Sequence, residues 1–84
     1  MGHVRHIVAR LPQHEFDVRR LYARDEQFRS ICLDFEDAAA AFRRWQDAPG
    51  GTSKAEHYLK IMDELETEIL ELLAASGTAA NHPE

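Results

Sequence analysis

The chain predicts an all-α fold. It reads as an antiparallel, coiled-coil-like helical hairpin, preceded by a short N-terminal helix and dimerising into a four-helix bundle. Three observations carry this. Phe28, Ile31, Phe35, Ala38, Phe42 and Trp45 recur at alternating spacings of three and four. Ala55, Tyr58, Met62, Leu65, Ile69 and Leu72 do the same, and the two sets mirror each other about Gly50. Between them stands Asp47-Ala48-Pro49-Gly50-Gly51, a composition that turns a chain rather than continuing a helix. Equal apolar stripes on either side of a tight turn make one seam when two helices fold back on each other.

Residues 1–12 read as a flexible segment ending at Leu11-Pro12, because proline suits a first helical turn and breaks a later one. A short helix is expected over 14–23, where Val18, Leu21 and Tyr22 fall at i, i+3 and i+4 with Phe16 beside them. Asp25 is placed to cap the N-terminus of a second helix over 26–46. Ser53-Lys54-Ala55-Glu56 spells a capping box opening a third helix over 54–75, and Gly77 stands where a left-handed C-cap belongs. Residues 13–76 thus form one helical domain. Residues 77–84 offer nothing to bury and read as a disordered tail.

A lone two-helix hairpin leaves apolar surface over. Leu59, Ile61, Leu70 and Leu73 widen the stripe of the third helix, and Cys32, Ala39 and Ala41 that of the second. Such a surface calls for a cover. The first helix can supply part of it, and a second copy of the chain can complete a four-helix core. Leu59, Ile61, Leu70 and Leu73, with Val18, Leu21 and Tyr22 of the first helix, are therefore the candidate interface. A hairpin closed by its own first helix is the monomeric alternative.

Composition limits the function classes. The net charge is −5. Residues 1–33 hold six Arg against four acidic residues, whereas residues 34–84 hold four basic against eleven acidic ones. An acidic body repels phosphate backbones, so nucleic acid is a poor partner. The single cysteine excludes a disulfide framework and suits a reducing cytoplasm. The longest apolar run, Ala38 to Phe42, is far too short to span a membrane, and residues 1–10 show no secretory signal.

The motifs that could carry chemistry fall short of it. His14-Glu15 opens like a zinc-protease helix, but Val18 stands where the second histidine is required. His3 and His6 have the spacing of two ligands on one helical turn without a third nearby. Glu64, Glu68 and Glu71 make a carboxylate line lacking the Glu-x-x-His of di-iron bundles, and a solvated face accounts for it. Arg43 and Arg44 adjoin Phe42 and Trp45, but these aromatics already belong to the seam. Arg19, Arg20 and Arg24 form a basic cluster best explained by pairing along the helix. Cys32, inside a helix and beside the seam, reads as a buried, inert thiol. No catalytic, metal-binding or cofactor-binding residues are assigned, and no enzyme activity is expected.

The residues His14-Glu15-Phe16, Asp25-x-x-Phe28, the glycine-containing turn and Tyr58…Leu65…Glu68-Ile69…Leu72 together resemble the YdcH-like family of small uncharacterised bacterial α-helical proteins. The resemblance spans about residues 6–75. It implies a helical hairpin, a cytoplasmic bacterial setting and no established activity, so no catalytic residue transfers. Two departures stand out. Asp17-Val18 follow His-Glu-Phe where the family has Pro-Glu. Lys60 to Glu66 is acidic where the family's last helix is rich in Lys and Arg. The expected role is a small, non-enzymatic protein–protein interaction module whose hairpin self-associates and presents a helical surface. The alternative is an acidic regulator that sequesters a basic or nucleic-acid-binding partner.

Overall fold

Glu26–Gln46 and Thr52–Leu73 are helices of nearly equal length, and they pack on each other along most of their span. They are α3 and α4 of a computed structural model that describes residues 4–75. Ahead of them come α1 (Arg5–Arg10), a 3-10 turn (Pro12–His14) and α2 (Glu15–Arg24). Among the described residues there is no strand. The expected Gly77 cap, the 77–84 tail and His3 lie outside the described residues.

The N-terminal segment departs from the sequence expectation. Much of the stretch read as flexible is helix α1 and its flanks, with Val4, Ile7 and Leu11 buried. Three apolar residues at i, i+3 and i+7 form a stripe too short to stand alone. What makes the helix viable is α3, on which it packs. Leu11 ends it at φ −126°, ψ 61°, because the residue before a proline is steered away from helical backbone. Pro12 then opens the 3-10 turn that runs directly into α2.

The α2–α3 corner is held from both sides. Asp25 adopts an extended conformation, and its side chain accepts a hydrogen bond from the Phe28 amide at 3.1 Å, as expected of an N-cap. Arg29, one turn into α3, reaches back with Nε to the Tyr22 carbonyl (3.0 Å) and with Nη2 to the Ala23 carbonyl (3.4 Å). One side chain thereby satisfies two acceptors that the end of α2 leaves without helical donors.

The α3–α4 turn is built on its two glycines for different reasons. Gly50 has φ +72°, in the left-handed region. Gly51 has an ordinary φ of −92°, but a Cβ there would fall 2.2 Å from the Trp45 carbonyl oxygen. This packing also corrects the start of α4. The helix begins at Thr52 with Gly51 as N-cap and no side-chain cap, so the expected Ser53–Glu56 capping box does not form. The tight turn draws the helix start two residues ahead of the expected position.

The fully buried large side chains are Phe28, Phe35, Ile7, Ile69, Val18 and Cys32. They gather where α1 and α2 lie against the hairpin, toward the end away from the turn. Nearer the turn, Phe42, Trp45 and Tyr58 are only half-buried. Gly50→Ala should cost about 1 kcal/mol, the penalty for a left-handed alanine. Gly51→Ala should cost more, about 2–3 kcal/mol, since backbone must move to admit the methyl. Urea denaturation of the two variants checks both the order and the size.

Candidate functional site

The two seam stripes divide into two rows by their seven-residue repeat. One row comprises Phe28, Phe35 and Phe42 on α3 with Ala55, Met62 and Ile69 on α4. All but the half-buried Phe42 are buried. The second row comprises Ile31, Ala38 and Trp45 with Tyr58, Leu65 and Leu72. Here only Ala38 is buried, and the other five are half-buried. With about 100° between successive helical residues, the rows lie on opposite sides of the seam.

Polar contacts identify the side that is closed. Glu36 lies on the flank of α3 beside the first row, and its Oε2 accepts from the backbone amides of His6 (2.8 Å) and Ile7 (3.0 Å). Those amides sit in the first turn of α1, whose N-cap position, Val4, has no side-chain cap. Glu36 therefore caps α1 from 30 residues away, placing negative charge at the positive end of that helix. Its Oε1 also bonds His6 Nδ1 at 2.7 Å. On α4, Arg10 meets Asp63 (3.2 Å) and Glu66 (2.7 Å), again on the first-row side. Cys32 and Ala39, buried on the same flank of α3, complete that closure.

These contacts decide the fate of the candidate residues. His6, considered as a metal ligand, is held by Glu36, and the described residues contain no cluster of three or more metal-ligating side chains. Cys32 is fully buried, and its thiol is pushed up to about 12, first by burial and then by the negative charge of Glu36. Arg19 pairs with Glu15 (2.9 Å) and Arg20 with Asp17 (3.1 Å), along their own helix. Arg43 and Arg44 sit at the turn end of α3, remote from the α2 arginines, so the five do not form one basic patch. Glu64, Glu68 and Glu71 are exposed along α4.

The candidate interface is corrected in part. Val18, Leu21 and Leu73 are buried within the chain, and Tyr22 packs half-buried against the core. They cover the hairpin rather than await a cover. Leu59 and Leu70 remain exposed at 38% and 36%, at the edge of the closed side. Ile61 belongs to the other side, where it lines an open depression of about 400 Å³ with Leu65, Glu64 and Glu68. A second depression, of about 380 Å³, lies against Ser53, Lys54, His57 and Tyr58 near the turn. The most exposed large apolar side chains among the described residues are Phe16, Leu33, Leu59 and Leu70. The second row, which the sequence reading placed wholly within the seam, is half-buried apart from Ala38 and so lies partly open. The signal was present in the seven-residue repeat, which sets six seam residues apart from the other six.

Compared with known proteins, the chain matches no protein-family model, no curated protein and no solved structure.

Removing the Glu36 carboxyl tests how α1 is held. Glu36→Ala should destabilise the fold by about 1–3 kcal/mol, because it strips two amides of their acceptor. Hydrogen exchange at His6 and Ile7 should accelerate more than in α4. Cys32 gives a pH test. Between about pH 9 and pH 12 the unfolded chain ionises this thiol while the folded chain keeps it protonated, so stability should fall as pH rises through that window. Cys32→Ala should lessen this fall in thermal melts. Below the window, the native thiol should react with an alkylating reagent only as fast as the chain opens.

Proposed function

We propose that this chain is a small, non-enzymatic protein–protein interaction module: a helical hairpin that self-associates and presents a helical surface. The observation that carries the reading is the partly open second row, in which Ile31, Trp45, Tyr58, Leu65 and Leu72 stand half-buried along two helices. Contiguous apolar surface of this kind, rimmed by charge, characterises association sites. The two side chains with the most chemical potential support a non-catalytic role, because Cys32 is buried and His6 is bonded to Glu36. No described helix is long and apolar enough to cross a membrane. A cytoplasmic, bacterial setting within the YdcH-like group is part of the proposal and rests on the sequence resemblance.

A second reading is favoured by the exposed carboxylates Glu56, Glu64, Glu68 and Glu71, which line α4. Such a helix suits an acidic regulator that occupies a basic partner. Light scattering across a concentration series, paired with affinity capture, tests both. The interaction module predicts a mass above the monomer or a reproducible protein partner. A stable monomer that captures nothing overturns it. The regulator predicts binding to a basic protein that weakens between about 50 mM and about 500 mM salt, whereas salt-independent binding refutes it.

A further inference from the structure

We infer that the occupant of the open second-row face is a second copy of this chain, docked with its ends reversed so that α4 lies antiparallel on α4. This rests on the interaction-module reading and specifies its partner, face and orientation.

Three observations select the occupant. First, the face repeats the geometry of the seam beneath it. Ile31, Ala38 and Trp45 on one helix, with Tyr58, Leu65 and Leu72 on the other, form the seven-residue rows that a four-helix core packs between helix pairs. Second, the residues flanking the described ones offer little apolar surface to it. Residues 1–3 and 76–84 supply no apolar side chain larger than Met1, and the remainder is mostly Gly, Ala and polar residues. Third, charge on the face is segregated by end. Near the turn, Lys54 lies with its Nζ 5.3 Å from the Trp45 ring centroid, and His57 shares its depression. Toward the other end, Glu64, Glu68 and Glu71 line the depression with Ile61 and Leu65, and Asp34 is exposed on α3.

A twofold interface joins a patch to itself, so each contact occurs twice with the roles exchanged. A patch that is basic at one end and acidic at the other is self-complementary only when the ends are reversed. Lys54 of each copy then approaches Glu68 of the other. The parallel alternative sets α3 against α4 with turn beside turn, which places Glu68 near Asp34 and costs like-charge repulsion. Ala38 and Ala41 fall near the middle of the face, where small side chains let helices approach closely.

The test is a pair of charge reversals read by light scattering at low salt. Lys54→Glu and Glu68→Lys alter exposed side chains, and far-UV melts establish that each variant folds. Each single reversal should weaken the dimer about tenfold, because two symmetry-related attractions become repulsions. Combining the reversals in one chain should restore it. A dimer indifferent to both changes, or strengthened by Glu68→Lys, overturns the reversed-end arrangement. A wild-type chain that stays monomeric up to several hundred micromolar overturns self-association itself. In that case the wider interaction reading stands or falls separately, on affinity capture of a different protein.

Discussion

Everything in this molecule depends on the closure of a two-helix seam. Two helices in contact bury one line of side chains well, and each further row lies at the mouth of the groove on one side or the other. The chain carries two rows on both helices. Phe28, Phe35 and Ile69 reach full burial only because α1 and α2 lie over their side of the hairpin. Those two elements are too short to be stable helices on their own. They exist because the hairpin offers an apolar surface, and the hairpin's core is dry because they cover it.

Glu36 is where that mutual dependence becomes polar and specific. Apolar contact alone would let a six-residue helix slide or fray. A carboxyl that accepts two first-turn amides fixes the end of α1 in position and direction, and Arg10 anchors the far end to Asp63 and Glu66 on α4. Helix α1 is thereby strapped across both members of the hairpin. Cys32 pays for this arrangement in reactivity, for it lies one turn before Glu36 on the same flank, where burial and the neighbouring charge both disfavour a thiolate.

The parts of the fold legible in the sequence are those that local chemistry specifies. The seam periodicity, the Pro-Gly-Gly turn and the Asp25 cap each involve residues within a few positions of one another, and α3 occupies Glu26–Gln46 as the pattern requires. Helix α1 escaped because its stabilising partner is Glu36, and nothing local to Arg5–Arg10 reports a cap so distant in the chain. Ser53 misled for the opposite reason. Its capping motif is locally sound, but the tight approach of Gly51 to the Trp45 carbonyl starts the helix earlier. Val18, Leu21 and Leu73 were recognisable as sticky, and only the folded arrangement shows that they spend that surface on their own chain.

The same reasoning explains why the molecule is finished on one side and not on the other. The closed side carries the polar links as well as the apolar ones, and both are needed to hold helices as short as α1 and α2. Among the described residues the open side has no counterpart to Glu36. By helical periodicity its flank residues on α3 are Asp34 and Ala41, and on α4 they are Ile61 and Glu68. A segment covering that side would need its own apolar stripe and its own means of fixing its ends. The hairpin already contains both, since its second row is an apolar stripe and its charges are sorted by end. The proposed reversed-end pairing of two copies would cover the second row with the same row of a partner chain.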